Sequence, residues 1–218
     1  MNFTDQLIRA ALREIEQQTW GATEQYMQIH DVVRLDSIPQ IVKVDLESEE
    51  NTAIVYLQVA GEKFYLAIYF DTSPDIAIRY IGTESHHKVY LRATSENLTW
   101  LQIAAMSLLK PSETFNKDDK RAFGKALYKY SCAIYEPSPG PDTFENKLKN
   151  LLSHLEQDVS GVEKLINHAE AYIQVDQDVH NGNGLIGGPY IDKLSIKRMA
   201  ALGLEIAFSQ YATGNPFK

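Results

Sequence analysis

From Ile41 onward the hydrophobic pattern switches to a period of two, and this constrains the fold more than any other feature of the chain. "IVKVDLE" (41–47) alternates Ile41, Lys43 and Asp45 against Val42, Val44 and Leu46. "AIVYLQV" (53–59), "FYLAIYF" (64–70), "IAIRYI" (76–81) and "HKVYLRA" (87–93) follow, all rich in β-branched and aromatic residues. "AGEK" (60–63) and "DTSPD" (71–75) are turn signals between them. Strands joined by such short polar connections pair antiparallel. "FYLAIYF" is apolar on both faces, which predicts the central strand, covered on one side. The cover is a helix over 3–18, whose Leu7, Ile8, Ala11, Leu12 and Ile15 share one face, with Thr4 as its expected N-cap. A short helical piece is expected from Gly21 to about Ile29.

After Ser95 the texture changes. "ENLTWLQIAAMSLL" (96–109) reads as a helix stopped by Lys110-Pro111, and "SETFNKDDKRAFGKAL" (112–127) as a polar connection. "YKYSCAIYE" (128–136) is a strand. Asp142 is the expected cap of a helix with Phe144, Leu148, Leu151, Leu152 and Leu155 on one face. A shorter helix follows to His168, then a strand "AYIQVDQDV" (171–179), a helix from about Tyr190 to Leu202 ended by Gly203, and a last strand "LEIAFSQY" (204–211). The expected fold class is α+β. An N-terminal helix and antiparallel meander (1–94) precede a layer of three strands with helices on one face (95–218). In the alternative, the two sheets run together through "HKVYLRA" as one domain.

Charge narrows the partners. The formal net charge is −8, the wrong sign for nonspecific nucleic-acid binding, which needs basic surface to displace counterions, and for an anionic membrane surface. It permits a basic protein partner, because complementary charge speeds encounter, though acidic charge also serves simply to keep a protein soluble. Cys132 is the single cysteine, so no intrachain disulfide forms. With no apolar leader segment and no long apolar run, the expected location is the cytoplasm.

The stretch "VDQDVHNGNGLIGGPYID" (175–192) raises two site readings. Gly182, Gly184 and Gly187 spell the dinucleotide fingerprint, but Pro189 separates them from the following helix, and thirteen residues beyond Glu205 leave no room for the second half of the unit. Asp176 and Asp178 would open a calcium loop, but His180, Asn181 and Gly187 stand where an oxygen ligand, a glycine and a bidentate glutamate are required. The glycines therefore read as turn residues, Asp176 and Asp178 as a solvated strand face, and no cofactor is expected. His86 and His87 are adjacent on a strand and point to opposite faces. His154 and His168 are on separate helices, so no metal site is expected from the histidines. Cys132 lies in an apolar strand and reads as a buried, inert thiol. Tyr56, Tyr65, Tyr69, Tyr80 and Tyr90 stand on strands where they would line a concave face with polar tips.

"NKDDKR" (116–121) intersperses opposite charges, and Lys117, Asp118, Asp119, Lys120 and Arg121 are the candidate partner contacts. From about Leu109 to Tyr211 the order of elements resembles the bacterial family catalogued as domain of unknown function 4279. "LKPSETFNKDDKR" matches its turn, "KYSCAIYEP" its strand, "FENKLKNLLSHLE" its helix, "AYIQVDQDVHNGNG" its strand ending in Asn-Gly, and "IDKLSIKRMAALGLEIAFSQY" its last helix and strand. Asp118 stands where that family often has glycine, and the strand around Cys132 lacks its frequent tryptophan. The resemblance implies no established activity. Some such small acidic bacterial proteins are similar to immunity proteins, which neutralise a toxin by covering its site. The expected function is therefore a non-enzymatic, protein-binding, immunity-like module. A small-ligand binder or enzyme with a pocket between the two layers is the alternative.

Overall fold

The meander forms as a four-stranded antiparallel sheet in a computed structural model that describes residues 2–47, 51–122, 124–183 and 188–217. The chain divides into two compact units, Met1–His86 with Gln177–Gly187 and Gln210–Lys218, and His87–Asp176 with Gly188–Ser209.

In the first unit, helix α1 (Phe3–Gln17) is capped by Asn2, whose side chain accepts from Asp5 N at 2.7 Å; the expected cap, Thr4, lies inside the helix. Helix α2 (Gly21–Met27) and the short strands β1 (Arg34–Leu35) and β2 (Ile38–Pro39) follow. Strands β3 (Ile41–Asp45), β4 (Thr52–Gln58), β5 (Tyr65–Asp71) and β6 (Ala77–Glu84) pair in chain order. Period two explains β5. Its Leu66, Ile68 and Phe70 join Leu7, Ala11 and Ile15 of α1 in one apolar core, while Tyr65 and Ala67 join Ile54 and Tyr56 on the other face. It is an inner strand, as its two apolar faces require.

In the second unit the order is β11-β10-β7-β9-β8, with β7 (His86–Ser95), β8 (Glu113–Phe115), β9 (Ser131–Tyr135), β10 (Glu170–His180) and β11 (Ile206–Thr213). The last residues of β10 and β11 count in the first unit. Strand β7 was expected as the fifth strand of the meander and instead lies between β10 and β9. Ser85 alone separates β6 from β7, too few residues for even a two-residue hairpin, so β7 cannot fold back on β6. Strand β8 was expected as polar connection; it pairs antiparallel with β9 through Thr114 and Ala133.

Helices α3 (Trp100–Ala104), α4 (Phe144–Leu155), α5 (Val159–His168) and α6 (Lys193–Ala201) bury one face of this sheet. Leu148, Leu151, Leu152 and Leu155 of α4 share a core with Val89, Leu91 and Ala93 of β7 and Ile173 and Val175 of β10. Helix α3 is much shorter than the expected 96–109. Its N-terminus is a capping box of Thr99 and Gln102. Past its end, the Asp158 carboxylate takes Leu108 N at 2.6 Å and Ser107 Oγ at 2.8 Å, so that stretch bonds to a side chain and not to a continuing helix. Thr143, and not Asp142, caps α4, and α6 begins at Lys193 after Asp192, beyond the expected Tyr190. No helix among the described residues is long and apolar enough to cross a membrane.

Candidate binding site

Alternation on β7 sends Val89, Leu91 and Ala93 into the helix-covered core and leaves Lys88, Tyr90, Arg92 and Thr94 on the opposite face. Cys132 and Ile134 of β9 share a cluster with Tyr90 on that face, and hydrogen bonds bring Tyr130, Tyr172 and Asp176 to it. Arg92 is its centre. The guanidinium donates to the Tyr172 hydroxyl and, at 2.6 Å, to the Tyr130 hydroxyl. Its carbon also lies 4.9 Å and 5.5 Å from the Tyr130 and Tyr172 ring centroids, so both rings flank the cation. Among the described residues no carboxylate reaches ion-pair distance of Arg92. Each phenol oxygen accepts from Arg92, which leaves its own O–H free to donate; neither proton has an acceptor among the described residues.

One strand step away, the Thr94 hydroxyl donates to Glu170 Oε2 at 3.3 Å. A groove of about 410 Å³ runs there, lined by 94–97, 167–170 and Tyr130. Tyr90 donates to Asp176 Oδ2 at 3.0 Å, and burial followed by the Asp176 charge raises the Tyr90 phenol above its ordinary range. Cys132 is fully buried. Burial pushes its thiol up to about 11 against the opposing pull of Arg92, so it stays protonated at neutral pH and is a poor nucleophile.

The candidate contact residues Lys117 to Arg121 are all exposed and lie together on an excursion between β8 and β9. Its two limbs are tied. Asp118 N donates to Tyr128 O and Tyr128 N to Asp119 O, both at 2.9 Å, and Lys120 bridges to Leu127. Phe115 stacks on Tyr128 at 3.7 Å, and Arg121 lies over the Tyr128 ring at 5.4 Å. Asp118 adopts φ +67°, the left-handed conformation that glycine takes most readily.

In the first unit, His30 Nε2 and His180 Nε2 are 3.0 Å apart, with the rings of Tyr26, Phe64 and Phe217 around His180. Nearby in sequence, Asp178 is buried and accepts from Lys63 Nζ at 3.2 Å, with His86 Nδ1 3.5 Å away. Asp176 and Asp178 are therefore not the solvated pair expected; each is held by a specific donor. Among the described residues no three His, Cys, Asp or Glu side chains are placed to hold a metal ion. Gly184 and Gly187 lie outside the described residues. Gly182 belongs to the turn after β10, where Asn183 N donates to His180 O at 3.0 Å.

The sequence reading missed Arg92, Tyr130 and Tyr172. The available signal was the place of Arg92 and Tyr172 on two strands, each between apolar neighbours that face the helical core; Tyr130 lies just before β9, between Lys129 and Ser131, and offered no such signal. The tyrosines it did single out divide. In the first unit Tyr56 and Tyr65 meet edge-to-face at 6.1 Å and Tyr69 and Tyr80 meet tilted at 5.5 Å, whereas Tyr90 lies on the second sheet.

Searches among curated proteins and among solved structures gave no match. A family model, described as Domain of unknown function (DUF4279), matches residues 84–213. The match begins at the last residue of β6, well before the 109 expected, and takes in Arg92, Tyr130, Tyr172, the groove and the charged excursion. By that match over more than half its length, the chain belongs to the DUF4279 family.

Proposed function

We propose that the chain is a cytoplasmic, non-enzymatic, protein-binding module whose contact loop is the excursion 116–129. The observation that carries this reading is the charge of that loop. It holds five basic residues (Lys117, Lys120, Arg121, Lys125 and Lys129) against Asp118 and Asp119, net +3 in a chain of net −8. A long exposed loop with so concentrated a charge serves recognition more readily than stability, since exposed charges contribute little to folding. The bonds between its limbs lower the ordering cost of binding. The acidic remainder of the surface suits a basic partner, and the loop adds a local contact for an acidic patch on that partner. An immunity-type role, in which the partner is a toxin, is one form of this reading.

Reversing two loop charges, Lys120→Glu with Arg121→Glu, should weaken the partner recovered from native lysate about tenfold or more, mainly through slower association, as rim charges do. The melting temperature should hold, because both side chains are exposed. Surface plasmon resonance with the recovered partner reads both rate constants. An affinity unchanged within about twofold, less than half a kcal/mol, would sink the loop as the contact.

A further inference from the structure

We propose that Arg92, Tyr130 and Tyr172 bind the carboxylate of a small zwitterion, with Glu170 receiving its ammonium group. This site is separate from the contact loop and does not rest on the reading above. Arg92 is half-buried, yet its hydrogen-bond partners are two neutral phenols. A guanidinium withdrawn from water ordinarily gains a carboxylate or several carbonyls in exchange. Here the positive charge is retained, and the two tyrosine O–H donors beside it have no acceptor among the described residues. Two phenol donors beside one guanidinium fit a planar oxyanion. One positive charge matches a carboxylate; a phosphate dianion would bring an excess negative charge close to Glu170.

Glu170 sets the other end. It is exposed, and the 3.3 Å bond from Thr94 uses little of its acceptor capacity. Thr94 lies two residues from Arg92 on β7, and Glu170 two from Tyr172 on β10. Two residues of strand span roughly 6.5–7 Å. A ligand bridging the cation and the carboxylate therefore carries its ammonium several bonds from its own carboxylate, as a γ-amino acid does and an α-amino acid does not. The groove of about 410 Å³ beside Tyr130 and Glu170 is large enough for such a molecule.

The test is titration of the full chain, with ¹³C-labelled tyrosine rings, by 4-aminobutyrate, butyrate, glycine and inorganic phosphate. 4-Aminobutyrate should shift the Tyr130 and Tyr172 signals and saturate in the millimolar range, about −4 kcal/mol. Butyrate and glycine should bind about fivefold or more weakly, since each loses one charged contact. Tyr130→Phe and Tyr172→Phe keep the rings but remove the donors, and each should weaken 4-aminobutyrate about fivefold. Glu170→Gln should bring 4-aminobutyrate down to butyrate. Lys120→Glu with Arg121→Glu should leave the titration unchanged, which separates this site from the contact loop. Absence of any shift at ~50 mM, more than tenfold above the expected dissociation constant, would overturn the proposal. So would equal binding by the two Phe variants, or tighter binding of phosphate than of 4-aminobutyrate.

Discussion

Asp158→Ala should destabilise the second unit by about 2–3 kcal/mol, the scale of a lost helix cap together with charge-assisted hydrogen bonds. The Asp158 carboxylate is buried and accepts from Leu108 N, Ser107 Oγ, Gly161 N and Ser160 Oγ at 2.6, 2.8, 3.1 and 3.2 Å. It caps α5 and at the same time pins the chain beyond α3. Gly161 shows how tight the node is. A Cβ there would stand 2.0 Å from Asp158 Oδ2 and 2.8 Å from the Ser107 Cα. Helix propensity alone would make Gly161→Ala stabilising by about 1 kcal/mol. The clash with fixed backbone should reverse the sign, and a stabilised Gly161→Ala would refute this account. Urea denaturation followed by Trp100 fluorescence, in a Trp20→Phe background, reads the second unit. The same node predicts a pH effect. The Leu108 N–H, then Ser107, hold the Asp158 carboxyl below the usual carboxylate range. Its stabilisation is thus complete above the unfolded value near ~4 and is lost as pH falls through the lower folded value. Asp158→Asn should remove that part of the acid sensitivity.

Local pattern made most elements legible and few of their partners. Strand β5 could be read because two apolar faces on one short run leave no exposed side, and α4 because its four leucines repeat at helical spacing. The length of α3 could not be read. It depends on Asp158, about fifty residues away, competing for Leu108 N. Strand β7 was misplaced because its own sequence suits either sheet, and the expected strands 76–81 and 87–93 left room for a turn where β6 and β7 in fact leave only Ser85. Asp176 and Asp178 looked solvated because alternation places a polar residue outward without saying what meets it, and Tyr90, Lys63 and His86 are remote in sequence. Arg92 was hidden for the same reason. A charged residue in a strand usually faces water, and its two tyrosines come from runs 38 and 80 residues distant.

The first unit should lose stability as pH falls below about 6.5, the ordinary histidine value, and His180 should be responsible. Its ring is 1% exposed. Burial, opposed by the Asn215 carbonyl and aided by His30, lowers its pKa. The bonding explains why the neutral ring is preferred. His180 Nε2 lies 3.0 Å from Asn215 O, which can only accept, so Nε2 carries the proton. His180 Nδ1 is then a bare acceptor with no partner among the described residues. Protonation would turn it into a buried, charged donor facing nothing, and an unsatisfied buried group costs more when it is charged. The surrounding Tyr26, Phe64 and Phe217 rings offer no counter-charge, and Glu62 acts only as a weaker, opposing influence. The direction follows from a folded pKa below the unfolded one. The unfolded chain binds the extra proton first, so stability is full above about 6.5 and declines below it, by at most ~1.4 kcal/mol per pH unit for one proton. Below the folded value the decline stops. His180→Phe, or His180→Gln where the ring overpacks, should abolish this slope in urea titrations read by Trp20 in a Trp100→Phe background. The C-terminal segment should respond with it. Gly214 has φ +84°, and a Cβ there would come within 2.8 Å of the His30 ring and 3.0 Å of Phe64. Gly214→Ala should therefore displace the Asn215 carbonyl from His180 and cost about 1–2 kcal/mol from the left-handed backbone alone. A slope that persists in His180→Phe would place the titrating proton elsewhere in the first unit and discard this assignment.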